Sequence, residues 1–191
     1  DLSTASSSIG TMLTLGYGNS SFPHMPTTFT DAGSNTWTNT LNSYGQVTEV
    51  APPSGSPLGS LTFDYDETSS SSTFGYLTSV ENGEGDTVTI DSYSDLGQPT
   101  AISTSPSSGV TNTTEYSFDP QQRLLQIEHP DGKTYQLAHD GGKLASTIDE
   151  QGNEIDYDWC PFCSKLTSLD MPLSKGLDWT LDSDRDITAF T

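Results

Sequence analysis

Apolar and polar residues alternate with period two in six short stretches: Leu61-Phe63-Tyr65, Val88-Ile90, Tyr116-Phe118, Tyr135-Leu137, Ile155-Tyr157-Trp159 and Leu177-Trp179-Leu181. Alternation with one apolar face predicts half-buried antiparallel strands. Before each lies a shorter strand opened by an apolar residue, at Val47, Leu77, Pro99, Leu124, Leu144 and Leu166, and Ile187 opens a seventh. Successive openings are 30, 22, 25, 20, 22 and 21 residues apart. A glycine follows eight residues after the opening at Gly55, Gly85, Gly132 and Gly152, and ten residues after it at Gly109 and Gly176. Tight hairpin turns need positive φ, which glycine adopts without steric cost. Each repeat is therefore predicted to be a β-hairpin, and the plainest pair of copies runs through residues 124–159. The opening strands place apolar residues three apart, as at Leu77 and Val80, a spacing that a β-bulge would allow.

The predicted fold class is all-β, with tandem hairpins stacked into a curled, solenoid-like sheet. Residues 31–191 form the array of about seven repeats, with a partial hairpin around Gly33. Residues 1–30 are rich in Ser, Thr and Gly and read as a capping segment or donor strand, its apolar residues being Met12, Leu13 and Leu15.

The stretches Gly75-Tyr-Leu77-Thr-Ser-Val80, Leu61-Thr-Phe63-Asp-Tyr65-Asp66 and Tyr116-Ser-Phe118-Asp119 resemble the YD repeat, also called the Rhs repeat. The resemblance covers about residues 31–191. Pro99 stands where the pattern has leucine, Gln122 stands where it has a boundary glycine, and the proline- and glycine-rich motif that ends the cores of family toxins is absent. The resemblance implies a wall element: YD repeats in polymorphic toxins, insecticidal toxin complexes and teneurins wind into hollow shells that hold a toxin domain or display a surface.

Composition narrows the function. Apolar residues make up 31% of the 191 positions, low for a thick core but sufficient for a sheet with one wet face. The net charge of −20, from 26 acidic and six basic residues, repels nucleic acid and anionic membranes. No apolar run approaches the ~20 residues of a membrane-spanning helix. The chain starts at Asp1 without a leader, as a processed piece of a secreted protein would, so an extracellular or cell-surface setting is expected. Asn19-Ser-Ser21 and Asn112-Thr-Thr114 fit the glycosylation sequon.

Candidate chemistry is sparse. Cys160-Pro-Phe-Cys163 is a C-x-x-C motif, which serves redox catalysis, zinc binding or a structural disulfide. No helix pattern lies near it to lower a thiol pKa, and the nearest histidine in sequence, His139, belongs to the preceding repeat. A disulfide clamping the turn is favoured, and a bond to a neighbouring chain stays open. Asp182, Asp184 and Asp186, and Asp64 with Asp66, alternate as a shared calcium site would require, but neither run has the loop and glycine of an EF-hand. A solvated acidic face is the plainer reading, and no other cofactor is implied. No nucleophile elbow, phosphate loop or zinc-helix motif occurs, so no enzyme is expected.

The expected function is that of a non-enzymatic, self-assembling fibre subunit. A C-terminal strand bearing Ile187 and Phe190 would add to Met12–Leu15 of another copy. The alternatives are a wall segment of an Rhs-type toxin shell and a carbohydrate-binding adhesin module that holds surface glycans. Trp37, Trp159 and Trp179 discriminate: rings buried between layers favour structure, and rings lining an open groove favour binding.

Overall fold

The computed structural model describes residues 3–7, 10–162, 164–172, 177–181 and 187–190. The strands are β1 (Thr4–Ser7), β2 (Gly10–Gly16), β3 (Thr28–Asp31), β4 (Thr36–Leu41), β5 (Val47–Ala51), β6 (Leu61–Tyr65), β7 (Leu77–Glu81), β8 (Thr87–Tyr93), β9 (Pro99–Ser105), β10 (Asn112–Phe118), β11 (Leu124–Glu128), β12 (Thr134–Asp140), β13 (Lys143–Ile148), β14 (Glu154–Trp159), β15 (Leu166–Asp170), β16 (Leu177–Leu181) and β17 (Ile187–Phe190). The chain divides into two compact units, Asp1–Asn112 and Thr113–Thr191.

Within the first unit each strand pairs antiparallel with the next, from β1 through β9. The second unit repeats this meander from β10 through β17. The predicted hairpins are thus present as an all-β succession. Their apolar residues fall into rows across the strands. Phe63 faces Val80, which faces Val88. In the second unit Tyr116 faces Ile127, which faces Tyr135. The opposite face carries rows such as Asp64–Ser79–Thr89–Ser103. Among the described residues no side chain is fully buried. Each ladder therefore has one polar face and one apolar face that the described chain leaves partly open.

The three-residue spacing in the opening strands has a physical cause. Tyr65 pairs with Leu77 while Asp64 pairs with Ser79, so Thr78 is an extra residue. Leaving it out of the ladder returns Leu77 and Val80 to one face, opposite Tyr65 and Phe63. The same bulge follows the opening residue at Thr48, Thr100, Leu125, Ala145 and Thr167, and in the backbone at Thr188.

One expectation is corrected. Met12, Leu13 and Leu15 do not form an open edge. Leu13 pairs with Ala5 on one side and Asp31 on the other, Leu15 pairs with Phe29, and Met12 is the bulged residue between the Leu13 and Thr11 pairs. The small polar stretch Thr4–Ser7 supplies the strand that covers β2. Around Gly33 it is Ser34, at φ 65°, that takes the left-handed conformation.

Candidate functional site

Three devices recur: a clamp in several turns, a latch between strands and the open apolar face. The clamp begins with an Asp or Asn after a strand. Asp149 accepts the Gln151 and Asn153 backbone N–H groups on Oδ1, at 2.9 and 2.8 Å, and the Asn153 side chain on Oδ2 at 2.8 Å. Asp31 with Asn35, Asn82 with Asp86 and Asp119 with Arg123 repeat this arrangement. Each anchor and its partner are complementary: the Asp anchors face donors, and the acid Asp86 faces the amide of Asn82. The residue before the partner is left-handed, at φ 84° for Gly85 and 82° for Gly152. Gln122, at φ 67°, takes that place without being glycine.

These bonds shift the acids. Hydrogen bonds from the Asn153 side chain and backbone hold Asp149 below the ordinary carboxylate range, and those from Asn35 do the same for Asp31. For Asp119, burial pushes upward, but the hydrogen bonds and charge of Arg123 prevail and lower it. Asp66 is held at about 2 by Ser71, Thr73 and Thr68 of the serine loop that follows it. That loop is an insertion into the same turn: Asp66 N donates to Tyr76 O at 2.9 Å and Gly75 N to Asp66 O at 2.7 Å.

The latch was not foreseen. The β5–β6 ladder stops at Glu49–Thr62, so Val47 has no β6 partner, and the Tyr65 hydroxyl donates to its carbonyl at 3.0 Å. Tyr93 donates likewise to Leu77 O, and Trp159 Nε1 to Leu144 O at 2.6 Å. His139 Nε2 lies 2.9 Å from Leu124 O. A carbonyl only accepts, so that nitrogen carries the proton. Every acceptor is an opening residue beyond the end of its ladder; Tyr65, Tyr93 and Trp159 each end their strand, and His139 is one residue short of the end of β12. Phe118 stands at the corresponding place without a donor. The available signal was the aromatic residue at or next to the end of these second strands, whose role depends on where each ladder stops.

The predicted site residues fall as follows. Gly55, Gly85, Gly132 and Gly152 have φ of 82°, 84°, 79° and 82°. Asp64 accepts Ser79 Oγ at 2.7 Å across the ladder, whereas Asp66 is enclosed by its own turn. The two are not brought together as a calcium pair, and no group of three or more potential metal ligands occurs among the described residues. Asp182, Asp184, Asp186, Cys163 and Gly176 lie outside the described residues. Cys160 occupies the anchor position of its turn, its N–H donating to Lys165 O at 3.0 Å. Ile187 and Phe190 lie on β17, paired with Leu181 and Trp179. Trp159 is occupied by its latch and by Lys143 Nζ 5.4 Å from the ring centroid. Trp37 lines a small cavity with Asn35 and the 53–58 loop.

Antiparallel hairpins joined by clamped turns, with a bulge after each opening residue and one face left apolar, define an all-β hairpin-repeat protein. Residues 93–134 match the RHS repeat family model, so the YD/Rhs resemblance holds on independent grounds. Comparison with curated proteins found no match. Among solved structures the chain is similar to TcdB2-TccC3, with a TM-score of 0.59 and 14% identity over 93% of this chain and 11% of that one. It is also similar to TcdB2-TccC3 without the hypervariable C-terminal region, at 0.57 and 15% over 95% and 12%. The Photorhabdus luminescens Tc holotoxin pore with a TccC3 mutation gives 0.53 and 14% over 87% and 11%. These likenesses establish the fold, and the chain spans about a tenth of the length of the first of those structures.

Proposed function

We propose that the chain is a non-enzymatic structural segment of an extracellular Rhs-type wall, one sheet thick, that encloses or displays rather than reacts. The observation that carries this reading is the apolar face, with rows such as Phe63–Val80–Val88 that nothing among the described residues fully buries. Removing apolar area from water stabilises by roughly 25 cal/mol per Å², so such a face favours a covering surface. The opposite face suits solvent, since its acids are met by hydroxyls such as Ser79 on Asp64 and Ser168 on Asp158. The fold relatives, among them a Tc holotoxin pore, support the same reading. A Cys160–Cys163 disulfide would replace the carboxylate clamp of turns such as that at Asp149, and it predicts no alkylatable thiol in the unreduced protein.

The fibre reading loses support because β1 occupies the side of β2 on which a second copy would add. Light scattering of the chain at high concentration, with and without calcium, tests the choice. A wall segment is expected to give no filaments in either condition. Elongated particles that grow with calcium would overturn the proposal in favour of the fibre.

A further inference from the structure

We infer that the cavity over Trp37 is a binding slot for a single neutral sugar ring. It measures about 290 Å³ and is lined by Asn35, Trp37, Pro53, Ser54, Ser56 and Leu58. That is the lower end of the range for ligand pockets, roughly 300 Å³, and fits one ring better than a chain. None of these lining residues is charged, although the chain carries 32 charged residues, 26 acidic and six basic. A neutral lining selects against cations, anions and nucleotides. The indole and the Pro53 and Leu58 side chains supply apolar surface for the C–H face of a pyranose.

Polar groups surround that surface. The Trp37 side chain makes no hydrogen bond to the described residues, so its Nε1–H is available as a donor, whereas the corresponding group of Trp159 is taken by Leu144 O. Asn35 gives its amide to Asp31 Oδ2 at 2.9 Å, which fixes the side chain and leaves Oδ1 as an acceptor. Ser56 Oγ accepts the Leu58 N–H at 3.1 Å and retains its own proton for a ligand. Ser54 is exposed and adds a second hydroxyl. Three donors and an acceptor around one ring match a polyhydroxylated ligand. A proline-rich peptide, whose prolines lack N–H groups, would leave the acceptor unmet.

The loop is held in place before any ligand arrives. Pro52, Pro53 and Pro57 stiffen it, and Ser56 N donates to Pro53 O at 3.0 Å with Gly55 at φ 82°. Gly59 then meets the backbone of Gly83 so closely that a Cβ on either would overlap the other. A preorganised slot loses less entropy on binding. The larger cavity at Trp159, about 710 Å³, is lined by Asp140, Asp156, Asp158, Asp170 and Lys143 and lacks this neutral character.

The inference is independent of the wall reading. The test is a titration of the ¹⁵N-labelled full chain with methyl pyranosides of glucose, galactose, mannose and N-acetylglucosamine, read at the Trp37 indole N–H, which Trp37→Phe assigns. At least one pyranoside is expected to move that resonance saturably. The double variant Ser54→Ala, Ser56→Ala should weaken binding about tenfold, the loss of two hydrogen bonds, with an unchanged circular dichroism spectrum. No response to any pyranoside at tens of millimolar would overturn the inference, as would a response to a proline-rich peptide alone.

Discussion

Replacing Tyr65 by Phe removes one oxygen and leaves the ring in its row opposite Leu77. The oxygen removed is the donor to Val47 O at 3.0 Å. Val47 lies beyond the last β5–β6 pair, Glu49–Thr62, so no backbone N–H of β6 takes over. A hydrogen bond contributes about 0.5–1.5 kcal/mol net, and a fully buried orphan carbonyl costs about 1–3 kcal/mol. Both residues are half-buried, so water replaces part of the loss and the expected cost is about 1 kcal/mol. With an m-value of about 2 kcal/mol/M in urea, the unfolding midpoint should fall by roughly 0.5 M. Tyr44→Phe is the matched control in the same unit: its ring is 52% exposed, and its hydroxyl has no partner among the described residues. The control should stay within about 0.5 kcal/mol of the parent. Equal midpoints for Tyr65→Phe and Tyr44→Phe would refute the latch.

Three further outcomes follow from the turns. Gly83→Ala should destabilise by about 1–3 kcal/mol, because its Cβ overlaps the Gly59 backbone, and thermal unfolding that matches the parent would contradict that packing. Gln122→Gly should stabilise by about 1 kcal/mol by relieving a left-handed non-glycine residue, read as a higher urea midpoint; a lower midpoint would show that the strain is absent. The folded-state pKa of Asp66, about 2, lies below its ordinary value of 3.8, so its contribution to stability is complete above about pH 4 and is lost as pH falls toward 2. The stability gap between the parent and Asp66→Asn should therefore be constant from pH 7 to about 4.5 and close between about 4 and 2; a gap that widens on acidification would reverse the sign of the linkage.

The parts of this fold that depend on local chemistry were legible in the sequence. A glycine eight residues after an apolar opening marks a left-handed turn position, and Gly55, Gly85, Gly132 and Gly152 occupy such positions. Alternation fixed which residues of the second strands share a face. The three-residue spacing of Leu77 and Val80 already carried the bulge, although only the pairing with Tyr65 and Asp64 locates it at Thr78. What depends on the contact between strands was hidden. Thr4–Ser7 has no apolar pattern, so nothing in its composition announced that it pairs with β2 and closes the edge assigned to Met12, Leu13 and Leu15. The Asp64–Asp66 pair looked like a cation site because i and i+2 share a strand face, but β6 ends at Tyr65 and Asp66 belongs to the turn. The slot over Trp37 required the path of the 52–60 loop, which hydrophobic periodicity does not encode.

In this account each unit builds a sheet whose apolar face that unit does not itself cover. Hydroxyl-radical labelling of the isolated chain, read residue by residue by mass spectrometry, tests it most directly. Phe162, 87% exposed, sets the scale for a fully accessible aromatic side chain. Phe63, Tyr116 and Tyr135 should label at intermediate rates, and Val88, 43% exposed, should also react. Full protection of these four residues in the isolated chain would mean that the face is already buried in a closed core, and the wall account would fail.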